Sequence, residues 1–219
     1  MRLSIASYGL ILLCLCFLIQ SELGWIEERT SVEDAQQEAA EQARAYYDLY
    51  ENIWKDLVYF PVPESSQRED ATVSFENSWM FERTYGGSYG HEGTDLMADI
   101  QKAGYYPVIS ISEGVIENIG WLEKGGWRIG IRSTHDVYFY YAHLSSYAED
   151  FRKGDVIQAG QLLGYMGDTG YGKTEGTRGK FDVHLHLGIY VRTEEIPELA
   201  VNPYWFLKYL EQHKLCYDF

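Results

Sequence analysis

The segment Val183-His184-Leu185-His186-Leu187-Gly188-Ile189-Tyr190-Val191 decides the reading of this chain. It is rich in Val, Ile and Tyr and reads as a β-strand. In a strand, residues i and i+2 project from one face about 6.6 Å apart. His184 and His186 therefore address the same side of a sheet, while Leu185 points into the core. Working outward, Val137 to Ala142, Trp127 to Arg132 and Val108 to Ile116 have the same character, and Glu123-Lys124-Gly125-Gly126 reads as a hairpin loop between Trp121-Leu122 and Trp127. Gly154-Asp155, Ala159-Gly160 and Gly164 punctuate a further hairpin-rich stretch. No long helix separates these strands, so the expected fold is mainly β, an antiparallel sheet.

Upstream the period changes. Ser31 to about Leu57 lacks Gly and Pro and is rich in helix formers, with Ser31 and Asp34 approximating a capping box and an apolar stripe in its later half. It reads as a long N-terminal α-helix, a spacer that docks on the sheet domain or stands free as a stalk. Pro61 and Pro63 end the pattern. At the start, Arg2 precedes the unbroken apolar run Leu10 to Ile19, the layout of a secretory signal. No small-residue cleavage site follows, so the segment reads either as a signal removed near Ser21 or as a retained anchor through residues 3–19. As a helix, Leu3 to Ile19 spans about 25 Å against a hydrocarbon core of about 30 Å. Glu22, Glu27 and Glu28 follow it, so the remainder is expected outside the membrane. Cys14 and Cys16 lie in the apolar run, and removal of the signal leaves Cys216 alone, with no intrachain disulfide to form.

Composition narrows the function. With 219 residues and 46% hydrophobic side chains the chain has material for one sizeable core. Eighteen Lys and Arg against thirty-three Asp and Glu give a net charge of −15, which repels nucleic-acid phosphates and anionic lipid. No nucleic-acid partner is expected.

The remaining histidines supply chemistry. His91-Glu92-Gly93-Thr94-Asp95 superficially matches the helical H-E-x-x-H of zinc proteases, but Gly93, Thr94 and the nearby Gly86, Gly87 and Gly90 disfavour a helix. In a fully extended strand His91 and Asp95 would lie about 13 Å apart, too far to share a metal. The chain must bend, and Gly93 supplies the backbone freedom for an H-x-G-x-D ligand loop; the alternative is an ordinary glycine turn. His143 stands at the end of the Tyr-rich strand, in Ala142-His143-Leu144.

Together these elements resemble the lysostaphin-type (LytM-like) zinc metalloendopeptidases of bacterial cell walls. The resemblance runs from about Phe60 to Trp205. In order it includes Phe60-Pro61-Val62-Pro63, His91-x-Gly93-x-Asp95, Gly114, Ala142-His143-Leu144, Gly154-Asp155, Ala159-Gly160-Gln161, Gly164, Asp168-Thr169-Gly170, His184-Leu185-His186 and Asn202-Pro203. It implies a peptidase domain of the duplicated-hybrid-motif type over residues 59–212, after a signal or anchor at 1–21 and a helical spacer at 22–58, and before a tail at 213–219. It further implies His91, Asp95 and His186 as ligands of one Zn²⁺, and His184 and His143 as a catalytic pair. Two imidazoles and a carboxylate leave a fourth tetrahedral position open, as catalytic zinc requires.

The implied substrate is peptidoglycan peptide, met outside the cytoplasm; with a net negative charge on the protein, local contacts rather than long-range steering should govern the encounter. Tyr85, Tyr89, Tyr171 and Tyr190 flank the motifs and are candidates to line a groove. Unlike the family pattern, Tyr171 to Val183 inserts a long polar loop before H-x-H, a lid or an obstruction. His135 and His213 are assigned to surface or packing roles. A non-catalytic LytM-like regulatory module is the alternative, and a metal-dependent carboxypeptidase a further one; retention of all five motif positions favours the endopeptidase.

Overall fold

The computed structural model describes the backbone from Ile5 onward and the side chains of Gln20, Arg29 and residues 31–219. The chain divides into two compact units, Met1–Tyr50 and Glu51–Phe219.

Helix α1 (Ile5–Asp56) is continuous. It begins well before the expected start at Ser31, which lies inside the helix and so forms no capping box there. The signal or anchor assigned to residues 1–21 falls on residues whose side chains, Gln20 excepted, lie outside those described; among the described residues no helix is long and apolar enough to cross a membrane.

The second unit contains β1 (Glu64–Ser65), β2 (Val73–Ser74), β3 (Glu82–Arg83), β4 (Tyr89–Gly90), β5 (Thr94–Ala98), β6 (Pro107–Ile109), β7 (Gly114–Leu122) and β8 (Gly126–Ser133). There follow β9 (Tyr138–Tyr147), β10 (Val156–Ile157), β11 (Leu162–Met166), β12 (His184–Val191), β13 (Leu199–Val201), α2 (Tyr204–Leu210) and β14 (Cys216–Tyr217). The main sheet runs in the order β10, β7, β8, β9, β12, β5, β2, with β11 joining β9 to β6 and β13 edging β12. Its pairings are antiparallel.

Register divides the sheet into two chemical faces. Leu187 opposes Tyr141 on one side and Thr94 on the other, and Leu185 opposes Leu96. These residues, with Ile129, Ile131, Phe139 and Ile189, are buried and form the apolar face. Each buried Leu, Ile or Phe among them contributes roughly 1.5–3 kcal/mol of burial free energy. One residue out of phase, His186 opposes both Asp95 and Ala142, so the other face carries the polar groups.

Two expectations about the strands change. The expected strand Val108 to Ile116 is two strands, β6 and β7, separated by a turn in which Ser110 Oγ donates to Ser112 O and Ile111 N donates to Tyr141 Oη. Ile111 is fully buried, which is why its apolar character resembled strand sequence. His143 does not end a strand but lies within β9, at a bulge.

The last turn of α1 belongs to the second unit. Ile53 is fully buried, and Trp54 packs edge-on against Phe206 of α2 at 5.0 Å. Buried Asp56 accepts hydrogen bonds from Ser133 Oγ at 2.5 Å and His135 Nδ1 at 2.7 Å, giving His135 a packing role. The residues read as a tail are also integrated: β14 pairs in parallel with β1, and Tyr217 Oη donates to Gly160 O. Cys216 is exposed and unpaired.

Candidate metal centre

β12 and β5 bring the H-x-H and H-x-G-x-D motifs side by side. Asp95 stands opposite His186, and the chain bends just before β5 so that His91 returns to the same point. Gly93 permits this, but for a reason other than positive φ. A Cβ there would lie 2.4 Å from His186 Cε1, 2.6 Å from its Nε2 and 2.8 Å from Leu187 O. The glycine is required by the close approach of the His186 ring.

Three atoms converge: His91 Nε2, His186 Nδ1 and Asp95 Oδ1. They lie 3.0, 2.9 and 3.1 Å apart around the triangle. Donors bound tetrahedrally at 2.0–2.1 Å would stand about 3.3–3.4 Å apart, so a small expansion of this triangle accepts Zn²⁺. The remaining atoms of these ligands are anchored. With a metal bound, His91 Nδ1 would donate to Ser78 O, 3.2 Å away, leaving Nε2 as the ligand atom, and Arg83 Nη2 holds Asp95 Oδ2. Burial opposes the charge of Asp95, but hydrogen bonds from His186 and His91 outweigh it and hold the carboxyl far below the usual carboxylate range. The donor set therefore fits zinc.

Two further imidazoles flank the triangle. His184 Nδ1 donates to Asp182 O at 2.7 Å, and its Nε2 lies 3.8 Å from Asp95 Oδ1. His143 Nδ1 donates to Thr169 O at 2.7 Å. A carbonyl only accepts, so both neutral rings carry their proton on Nδ1 and present an Nε2 lone pair. Their centroids are 4.7 Å apart. Burial lowers the pKa of both; for His143 the neighbouring His184 and His186 add to the effect, whereas for His184 the Asp95 charge opposes it.

A cavity of about 580 Å³ opens over these groups, lined among others by Tyr89, Tyr140, Tyr171, Phe181, Tyr190 and Arg128. Tyr85 is not part of that lining; it stacks on Tyr171 with centroids 4.4 Å apart. The Tyr171 to Val183 loop forms a wall. Phe181 packs against His143 at 4.6 Å and His184 at 5.0 Å, and the loop is tied down by Gly170 N to Thr177 O and Gly179 N to Asp168 Oδ2. His213, outside the site, packs on Tyr209.

Sequence reasoning missed Ser78, Arg83, Arg128, Tyr140 and Phe181. Of these, Arg83 and Phe181 had a readable signal, as a cation and an aromatic flanking the two motifs; the others depend on cross-strand proximity.

The description Peptidase family M23 matches residues 89–198, half of the chain and the span holding all five motif residues. The chain belongs to peptidase family M23. This M23 protein is 38% identical over 155 residues to the L-Ala–D-Glu endopeptidase of Bacillus subtilis, across 71% of this chain and 44% of that relative. It is 33% identical over 116 residues to the glycyl-glycine endopeptidase ALE-1 of Staphylococcus capitis, across 48% and 30%. The chain thus spans less than half the length of these curated relatives. A crystal structure from Ruminococcus gnavus, described as a candidate glycyl-glycine endopeptidase LytM, is 54% identical with a TM-score of 0.73, over 80% of this chain and 68% of that one.

Proposed function

We propose that this M23 protein is an exported zinc endopeptidase that hydrolyses peptide bonds in peptidoglycan stem peptides or cross-bridges. The observation that carries the reading is the His91, Asp95 and His186 triangle flanked by two imidazoles whose Nε2 lone pairs are free. The names of the relatives, both endopeptidases, support the class of reaction. Arg2 and the apolar Leu10 to Ile19 run support export, and the wall peptides are then the substrate at hand.

When held by these three residues, zinc supplies Lewis acidity, which polarises a carbonyl and brings the pKa of water toward ~7. The chain does the rest. His184 takes a proton from the attacking water at Nε2 and passes it to the departing amine, its Nδ1–H fixed on Asp182 O. His143, neutral through burial, offers an acceptor at Nε2 and so orients the water rather than donating to an oxyanion. The Phe181 and Tyr171 rings keep this corner dry, which strengthens each polar contact within it.

Digestion of defined muropeptides by the purified full chain, followed by mass spectrometry, tests the proposal. Zinc-dependent cleavage within a stem peptide or cross-bridge is expected, and the Ala–D-Glu bond is the first to examine. Release of single terminal residues, or no cleavage by a chain shown to carry one zinc, would refute it.

A further inference from the structure

The cleft holds a cation that the chemistry above does not use. Three arginines are half-buried among the described residues: Arg83, Arg128 and Arg132. Arg83 is paired with Asp95, and Arg132 with Glu117 and Glu198. Arg128 forms no ion pair among the described residues, and its Nη1 is buried without a hydrogen-bond partner. An unpaired cation is unexpected in a chain of net charge −15, and a buried N–H left unmade is costly.

Register shows where this group stands. Ile129, next along β8, opposes Tyr141 on the apolar face, so Arg128 belongs to the face that carries His186. Trp127 opposes Leu144, which puts Arg128 against the Ala142 and His143 bulge of β9, and Ala142 in turn opposes His186. Arg128 and His186 thus occupy one row across the sheet, two strand spacings or about 9.6 Å apart at the backbone. Both line the same cavity. On the other side Arg128 opposes Gly120, where even a Cβ would meet nothing within 4 Å, so the space beside that strand is open. The neighbouring wall is tyrosine, and Glu198, the carboxylate on that side of the cavity, is already held by Arg132.

We infer that Arg128 is a carboxylate subsite of the cleft and that the substrate is an acidic peptide with a free carboxylate one or two residues from the scissile bond. An extended peptide advances about 3.3 Å per residue, so such a group, from a peptide whose carbonyl meets the metal triangle, comes within reach of the guanidinium. A guanidinium fork matches a carboxylate in two parallel hydrogen bonds. The carboxylate comes either from an acidic residue or from the peptide's own C-terminus. The inference rests on the endopeptidase reading for the direction in which the peptide lies, but not for its test.

Binding is measured by calorimetry on the full, zinc-free chain with three probes: acetyl-Ala-D-Glu-Lys amide, the same peptide with D-Gln, and the D-Gln peptide with a free C-terminus. At least one carboxylate peptide should bind roughly 10- to 100-fold tighter than the neutral one, as expected for a charge-assisted bidentate pair. Which of the two does so identifies the source. In Arg128→Gln the ratio should collapse to about one, and Arg128→Lys should retain part of it. Because the ratio is internal to each protein, partial loss of folded material does not affect it. Equal ratios in the parent and Arg128→Gln, or no preference for either carboxylate, would overturn the inference. If the preference depends on Arg128 but the zinc-loaded chain cuts none of the peptides or muropeptides, the subsite stands and the endopeptidase reading falls.

Discussion

Gly93→Ala tests the geometry of the metal triangle through one methyl group. The added Cβ would lie 2.4 Å from His186 Cε1 and 2.6 Å from Nε2, whereas unstrained contacts settle near 3.5–4.0 Å. The clash therefore asks for a shift of about 1 Å. Leu187 O, 2.8 Å away, is backbone of a central strand paired on both sides and cannot yield, so the His186 ring must move. On its far side that ring already faces Asp95 Oδ1 at 2.9 Å and His91 Nε2 at 3.0 Å. Metal–ligand bonds tolerate only about ±0.2 Å, so a displaced Nδ1 leaves the zinc with two good ligands.

The expected result is a protein that folds, with a stability loss of about 1–3 kcal/mol from overpacking, or roughly 2–12 °C in Tm. Zinc affinity should fall by at least about a hundredfold, and kcat/KM with it. Competition with a chromophoric chelator, together with elemental analysis after dialysis, measures the affinity. Parental zinc affinity in a folded Gly93→Ala protein would show that His186 is not held where the triangle requires it.

His186→Ala should lose zinc by elemental analysis, while His184→Ala should keep it and lose turnover; a His184→Ala protein that digests walls at the parental rate would end its assignment as the proton carrier. Arg83→Ala frees Asp95 Oδ2 without removing a ligand, so zinc affinity should fall roughly 10- to 100-fold, a loss that a chelator titration would reveal. Asp56→Ala should cost about 1–3 kcal/mol in denaturant unfolding because Ser133 Oγ loses a buried partner, and an unchanged midpoint would count against that tie. His143 and His184 have folded pKa values below the unfolded value of about 6.5, so the unfolded chain binds more protons below that pH. The stability of the metal-free protein should therefore be fully present above about pH 6.5 and decline on acidification, by at most about 1.4 kcal/mol per pH unit for each ring; melting temperatures that rise as pH falls from 7 to 5 would contradict this.

How much of this was legible depended on the range of the signal. The strands β8 and β12 and the hairpin turn at Glu123 to Gly126 are written in local composition, and their existence followed from it. The motif histidines and Asp95 were likewise readable because each sits in a short pattern with fixed spacing. The break after Ile109 was not, since buried Ile111 resembles a strand residue and one of the hydrogen bonds that hold the turn reaches Tyr141, thirty positions away. Arg128 was opaque for a similar reason: a single arginine in a strand acquires meaning only when the register sets it in line with His186 and when the absence of a carboxylate partner can be checked in space.

His143 shows most clearly how the sheet's own rules are suspended to build the site. Counting by twos along β9, Phe139 and Tyr141 face the core, and a regular strand would send His143 after them. Instead, between the pairs Ile129–Tyr141 and Trp127–Leu144, β9 places two residues, Ala142 and His143, where β8 has one, Arg128, and His143 takes φ +62°. The extra residue returns Leu144 to the buried face and turns His143 toward His184. A left-handed residue other than glycine costs of order 1–3 kcal/mol and persists only where its surroundings enforce it. Here they do: His143 N donates to Gly125 O, its Nδ1 donates to Thr169 O, and the two segments that supply these carbonyls meet so tightly that a Cβ on Gly126 would lie 2.3 Å from Thr169 O. The hairpin glycines and the Asp168-Thr169-Gly170 segment thus act as one clamp on a single strained histidine.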